Sequence, residues 1–551
     1  MVEKYEPFSF RMKQIDGQWY IYIQRYVYRT TGRKTESYSL GPITKMEEII
    51  TKYMNTGSSL FFGETLIYFF GKQSKLHDEI SEKLTEQHIS TMEQEQFHWL
   101  IALRCIRPFS KHKLFRYLPH SYMSIVHPVP TENFFYEIMD QMGDLPKLFH
   151  HYAENLIAYL HHTYSLTSFD TTTIFFYSDY DDLRRKGFGK DGKRGSPLIK
   201  LALACTEDYI PLNYQIYPGN ASDITTFKDF IESADGTVLV GKKILLFDAG
   251  CYSFDIVNML EDKEISFICC ADISSYSLYS DIPESSEEIK NEKRTKFSLI
   301  GFATEPWEQT IEIRDQKWIL KLGEYKGKRI IEAFNEEHHL SAVEKLNKKI
   351  DLAMEFSKTV IGRDIESKTD KIKSLINGIG LKSLLTINVS EETISLISNE
   401  KNIQKRKNQL RKIVLITNID FKTNAREILE NYLKRTDVES VFSYLKTPLD
   451  IRPVYHWKHR RIHAHCFIVL LGYLLLTGLR LYLKSTYQYN FTLEELLENL
   501  QFSTVHNFEP KPTKFMTYLG QQQDWIKQLV KDWNIPIKTE IKPQFSFTKD
   551  H

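Results

Sequence analysis

Cysteine is scarce and unpaired in this chain: Cys105, Cys205, Cys251, Cys269, Cys270 and Cys466 are the only six among 551 residues, and no two form a C-x-x-C. Such spacing offers no thiolate framework for a metal and suits a reducing compartment, so free thiols are expected. Net charge is lacking too. Lys+Arg 72 against Asp+Glu 71 leaves +1, and that balance by itself selects neither a nucleic-acid nor a membrane partner. The opening stretch MVEKYEPFSFRMK has no apolar h-region, so no secretory signal is expected. The longest apolar run, Phe467 to Leu476, is interrupted by Gly472 and reads as a buried helix, short of a membrane span. No internal repeat is evident. The expectation is a soluble, cytoplasmic protein without a membrane partner.

What is present is a globular composition, 42% hydrophobic, 13% aromatic and 26% charged, long enough for three or four domains. Residues 8 to 40 alternate apolar and polar types around Asp16-Gly17 and Gly32, which predicts a three-stranded meander ending at Gly41-Pro42. Helical spacing follows over 44–54, again from about Leu76 to Tyr117 with a breaker at Pro108, and over 131–162. From Leu166 the pattern turns to strands. SLTSFDTTTIFFYS, PLIKLALACTED and YIPLNYQIYPGN read as an antiparallel meander. A helix near Asp223, the strand KKILLFDAG, a helix from Ser253 to Glu261 and the strand ISFICCAD follow, together an α/β core with a mixed sheet. Residues 274–410 interrupt it with a charged connector, a hairpin around Tyr325-Lys326-Gly327-Lys328 and charged helices, read as an inserted subdomain. The core resumes at IVLITNI. Asn424 with Glu427 resembles a capping box, so one helix is expected from there past Glu439.

Two acids stand out in strands. Asp170 sits among apolar and β-branched neighbours in LTSFDTTTIFF, and Asp248 ends the apolar ILLFDAG. A buried carboxylate is costly without a partner, so the pair either shares a metal or caps strands and loops. On the expected helix, Tyr432, Arg435, Glu439 and Lys446 fall at i, i+3, i+7 and i+14, one narrow stripe. An acid flanked by an arginine, a phenol and a lysine is what a metal-bound phosphodiester site requires. An exposed helix laced with salt bridges has the same spacing.

The run Tyr432-x2-Arg435-x3-Glu439-x6-Lys446 resembles the Tyr-Arg-Glu-Lys signature of bacterial DDE transposases of the insertion sequence 4 group. Asp170 and Asp248 are similar to that group's first and second acids. YIPLNYQIYPGNASDITTF, RPVYHWKHRRIHAHCFIVLLGYLLL and IRPFSKHKLFRYL resemble further stretches, and the likeness covers most of residues 10–484. It implies a ribonuclease-H-like mixed-sheet core at 164–273 and 411–485 with the insertion at 274–410. Ahead of the core would stand a small β-meander (1–60), a candidate for DNA-end recognition, and a helical region (61–163); a C-terminal region (486–551) is a candidate for dimerisation. The implied activity is DNA cleavage and strand transfer, with Asp170, Asp248 and Glu439 holding two Mg2+ ions, Mn2+ substituting. Tyr432, Arg435 and Lys446 would contact DNA near the transferred end. Double-stranded DNA, as terminal inverted repeats and target, would be the partner of a homodimer associated with the nucleoid. Two other readings stay open: an inactive relative acting as a DNA-binding protein, and a ribonuclease-H-like nuclease without strand transfer.

Charge is uneven along the chain. Residues 401–484 hold 17 Lys+Arg and 6 Asp+Glu, a basic stretch suited to phosphates, which includes Lys458, Arg460 and Arg461. A second cluster, Arg184, Arg185, Lys186, Lys190, Lys193 and Arg194, follows the first acid's strand and is either a DNA-backbone contact or a solvated loop. His456, His459, His463 and His465 crowd one segment. With no Cys or carboxylate to complete a zinc site they are expected to pack or meet phosphate. The aromatic strand residues Trp19, Tyr20, Tyr22, Tyr26 and Tyr28, and Trp307 and Trp318 in the insertion, suit either DNA contact or core.

Overall fold

The computed structural model describes residues 9–16, 18–29, 32–42, 57–86, 88–142, 145–177, 179–187, 196–233, 243–271, 309–313, 315–325, 328–361, 364–390, 394–419, 424–511, 514–519 and 523–537. They form two compact units, Met1–Gln141 with Leu475–His551, and Met142–Leu474. In the first unit β1 (Ser9–Ile15), β2 (Gln18–Arg29) and β3 (Gly32–Pro42) make an antiparallel sheet. Ile15 pairs with Gln18, so the turn is two residues long, and Asp16 takes the left-handed φ of 47° that such a turn requires. The helix expected at 44–54 lies outside the described residues. After β4 (Gly57–Phe61) come helices Gly63–Gln73, Leu76–Glu86 and Thr91–Ile106. The last begins at a capping box in which Glu93 N donates to Ser90 Oγ and Ser90 N donates to Glu93 Oε2.

The second unit is built on a nine-stranded mixed sheet. Its strands are β5 (Leu166–Phe175), β6 (Leu198–Thr206), β7 (Pro211–Pro218), β8 (Ile244–Phe247), β9 (Ser266–Cys270), β10 (Gln309–Ile313), β11 (Gln316–Tyr325) and β12 (Lys328–Asn335), followed, past a separate hairpin of β13 (Leu385–Val389) and β14 (Ile394–Ser398), by β15 (Lys412–Thr417). The order across the sheet is β10-β11-β12-β15-β9-β8-β5-β6-β7. β5, β6 and β7 are the antiparallel meander read from the sequence, while β8 runs parallel to β5 and β9 parallel to β8. Part of the stretch taken as an insertion belongs to this sheet, because β12 pairs with β15 and carries β11 and β10 with it. The portion with a core of its own comprises helices Glu336–Thr359, Ile365–Gly378 and Glu400–Gln409 with β13 and β14, around Leu346, Ile350, Ala353, Ile372 and Ile376.

Both faces of the sheet are covered by helices. On one, Phe227, Phe230 and Ile231 of helix Asp223–Ser233 and Ile256, Val257 and Leu260 of helix Phe254–Asp262 pack on Phe169, Ala202 and Phe247. On the other, Ala425, Ile428, Leu429 and Tyr432 of helix Ala425–Leu433 pack on Leu166, Leu246 and Ile268. Side chains alternate along a strand, so Asp170, four residues past Leu166, and Asp248, two past Leu246, belong to this second face.

Helix His459–Tyr487, 29 residues, is long and apolar enough to cross a membrane, contrary to the expectation that nothing in the chain reaches that length. Of its most apolar window 89% is buried inside the protein, as expected for a core helix. The chain then forms helix Leu493–Phe502, β16 (Thr504–Lys511), β17 (Lys514–Leu519) and helix Asp524–Asp532, with β16 lying between β17 and β4. All six cysteines are buried and free.

Candidate active site

Register brings the first two acids level. β5 and β8 pair Leu166 with Ile244, Thr167 with Leu245 and Ser168 with Leu246. Two positions further along the two strands stand Asp170 and Asp248. Neighbouring strands lie about 4.8 Å apart, so parallel pairing alone sets the two carboxylates side by side on one face. Each is anchored locally: Asp170 Oδ1 accepts from Thr171 N at 2.7 Å, and Asp248 Oδ1 from Ala249 N at 2.8 Å.

The third acid arrives from the helical layer on the same face. Asn424 caps helix Ala425–Leu433 by accepting from Arg426 N at 2.9 Å. The single helix expected to run past Glu439 is broken: it ends at Leu433, and a second helix, Thr436–Lys446, starts after Lys434 and Arg435. Neither residue leaves the right-handed helical region. The break is a tightening in which Arg435 N donates to the carbonyl three residues back, Tyr432 O, at 2.9 Å. The continuous stripe of four is therefore corrected to two short helices with Arg435 at their junction.

Arg435 organises the group. Its Nη1 lies 3.6 Å from Asp248 Oδ2 and 3.4 Å from Glu439 Oε1. Burial disfavours the charge, but Tyr432, Asp248, Glu439 and Asp170 together raise its pKa above the ordinary arginine value. All three acids are thus felt by one guanidinium, although 78 and 191 residues separate them along the chain. The Nε of Arg435 is buried with no partner among the described residues. Tyr432, expected at DNA, is 5% exposed; its hydroxyl donates toward Asp248 Oδ1 at 3.5 Å, and burial, followed by Cys270, pushes its pKa up. Its hydroxyl faces the second acid, and little of its surface is exposed. Burial, then Asp248, likewise raises the Cys270 thiol, which keeps it a neutral neighbour.

The donor set fits a hard divalent cation. Oxygen ligands from carboxylates suit Mg2+ or Mn2+, and no thiolate or imidazole competes at the site. Among the described residues no three His, Cys, Asp or Glu side chains stand close enough together to hold one ion. Asp248 and Glu439 instead share Arg435.

Other expected residues fall into several groups. Lys446 is half-buried at the end of helix Thr436–Lys446, Lys458 and Arg460 are exposed and Arg461 is half-buried. Arg184 is corrected: it is 8% exposed and clamps Asp181 through Nη2 at 2.6 Å and Nε at 2.7 Å. It is committed to its own loop and does not face a phosphate. Arg185 meets Asp182 at 2.8 Å; Lys186 is exposed. Lys190, Lys193, Arg194 and Trp307 lie outside the described residues. Trp318 is core, and of the N-terminal aromatic side chains only Tyr20 and Tyr22, both half-buried, are described. Of the clustered histidines, His459 Nε2 lies 3.0 Å from Asp181 Oδ2, and His465 Nε2 lies 3.0 Å from Ile451 O.

One pair was not anticipated. Lys200 Nζ meets Asp223 Oδ1 at 2.8 Å, and Thr171 Oγ1 donates to the same oxygen at 2.9 Å. A Cβ on Gly250 would sit 3.4 Å from Asp223 Oδ2. Asp223 therefore holds the residue after Asp170 and lies close to the turn after Asp248, from the opposite face of the sheet. A lysine inside the otherwise apolar LIKLALACT was the signal for it.

A mixed α/β sheet with acids brought together from two parallel strand positions and a covering helix defines a carboxylate-centred site. The transposase DDE domain family matches residues 161–475, more than half of the chain, and the chain belongs to that family. A cryo-EM structure of the piggyBac transposase synaptic complex with hairpin DNA is similar at 10% identity and a TM-score of 0.39, over 87% of this chain and 86% of that one. No curated protein matches.

Proposed function

We propose that this chain is an active DDE transposase of the insertion sequence 4 group, cleaving element ends and joining them to target DNA. The strands β7-β6-β5-β8-β9 would be its ribonuclease-H-like core. The observation that carries this reading is the placement of Asp170 and Asp248 at level positions of two parallel neighbouring strands, with Asp248 and Glu439 both on the guanidinium of Arg435. Two carboxylates side by side, with a third that shares a guanidinium with one of them, are like charges that a cation would relieve.

Asp170 and Asp248, already side by side, would hold the divalent ions, with Glu439 completing the set. When bound, those ions supply an activated hydroxyl and charge relief for the leaving oxygen of an in-line displacement. The rest is done by the chain itself. Tyr432 keeps Asp248 oriented. Arg435, with an unpartnered Nε, turns from the acids to a non-bridging phosphate oxygen as DNA enters. Lys446, Lys458, Arg460 and Arg461 hold the backbone on either side, which makes binding fall steeply with salt. Paired joining of two ends calls for a dimer on DNA, working in the cytoplasm at the nucleoid.

The test is Asp170→Ala in Mg2+ and in Mn2+, with circular dichroism to verify folding. Cleavage and joining of the element's own ends should drop to background. Undiminished activity would discard the assignment.

A further inference from the structure

Four exposed aromatic side chains gather on two short segments of the second unit. Tyr177 (66% exposed) and Tyr180 (49%) follow the end of β5, and Tyr455 (70%) and Trp457 (69%) precede helix His459–Tyr487. The segments run side by side: Phe176 bridges Val454 in parallel, Val454 N donates to Phe175 O at 3.4 Å, and the Tyr177 and Tyr455 ring centroids are 6.4 Å apart. A second tie lies beyond them, where Asp181 binds both His459 and Arg184. Tyr177 packs on Phe175 and Tyr455, while all four side chains keep about half or more of their surface exposed; exposed aromatic surface of this kind marks a binding site.

Charge says what binds. Lys458 and Arg460 are exposed directly beside Trp457, and Arg461 is half-buried. Of the acids on the first segment, Asp181 meets Arg184 and His459 and Asp182 meets Arg185, while Asp179 lies exposed between Tyr177 and Tyr180. Rings interleaved with cations suit a strand whose bases are unstacked and whose phosphates run alongside; a paired duplex offers no base faces to stack on. Tyr177 is seven residues past Asp170 on the same strand run, at most about 23 Å away at ~3.3 Å per residue.

We propose that Tyr177, Tyr180, Tyr455 and Trp457 form a stacking platform for unpaired DNA bases, holding single-stranded DNA several nucleotides from the three acids. This rests on the reading of the chain as a DNA-processing enzyme. Trp318, another aromatic considered for DNA contact, is buried.

The experiment measures binding of the full-length protein, in EDTA, to a labelled oligothymidylate and to a duplex of equal length. Tyr455→Ala/Trp457→Ala should weaken oligothymidylate binding about tenfold or more and leave the duplex within about twofold, while Tyr455→Phe/Trp457→Phe keeps both near wild type. Unchanged oligothymidylate binding by the alanine pair overturns the proposal. So does an equal loss on duplex, or conversion of a dimer to a monomer in sedimentation, which would make the patch a contact between copies. Cleavage is not scored, so a failed catalytic assignment and a failed platform give different results.

Discussion

The guanidinium of Arg435 stands 3.6 Å from Asp248 and 3.4 Å from Glu439, where a bound cation would also act. It relieves repulsion among the acids in the free protein, and it has to compete with a divalent ion for them. Replacing it separates the two roles. Arg435→Gln should tighten Mn2+ binding to the free protein, measured by calorimetry, because the acids lose their internal counter-charge. Cleavage of element ends should fall about 10- to 100-fold, since a charge-assisted phosphate contact worth about 1.5–3 kcal/mol is gone. Weaker Mn2+ binding in the variant would contradict the competition. That Tyr432, Arg435 and Glu439 lie near one another was legible in the sequence, because the intervals linking them are local. Their orientation was not. Tyr432 turns inward through a tertiary contact with Asp248 that spacing along a chain does not encode, and Arg184 is taken up by Asp181 within its own loop.

At the scale of elements, alternation and turn residues announced β5 to β9 and the hairpin of β11 and β12, as each depends on neighbours within one segment. Two features did not announce themselves. The break at Lys434–Arg435 has neither proline nor glycine and keeps helical dihedrals, so no residue type flags it. The pairing of β12 with β15 joins stretches more than seventy residues apart and follows from long-range packing. Gly219 shows how closely such elements approach. A Cβ there would lie 2.2 Å from Leu198 O and 2.7 Å from Arg185 O, the two carbonyls whose residues pair across that bridge, with Arg185 N and Leu198 N each donating at 3.0 Å. Backbone cannot give way as a side chain would. Gly219→Ala should cost about 1–3 kcal/mol, as overpacking does. Hydrogen exchange should quicken at the amides of Arg185 and Leu198, and unchanged protection there would show that the close approach is not needed.

For the molecule as a whole, the first unit carries a buried polar cluster that the catalytic reading leaves unused and that ties its stability to pH. His77 and His98 are stacked with centroids 3.9 Å apart and 10° between planes, and each has a buried Nδ1 with no partner among the described residues. Around them stand Lys72, which meets Glu95 at 2.8 Å, Tyr68, which donates to Glu95, His127 at 3.3 Å from the Tyr68 hydroxyl, and Ser81 at 3.2 Å from His98 Nε2. Burial, with Lys72 opposing and Glu95 supporting the charge, lowers His98 to about 3; burial and then His98 itself depress His77 well below the ordinary value. Both rings stay neutral when folded but take protons near pH 6.5 when unfolded. The unfolded chain therefore binds more protons below that pH, so stability is full above about 6.5 and is lost as pH falls toward 3. From His98 alone the loss at pH 5 is about 2 kcal/mol. Glu95, held below its ordinary value by Lys72 and Tyr68 against the opposing effect of burial, acts in the same direction at lower pH. The melting temperature of the full-length protein should drop between pH 7.5 and pH 5, and His98→Phe should shrink that drop whatever it does to stability at pH 7.5. An equal drop in the variant would move the acid sensitivity elsewhere in the chain.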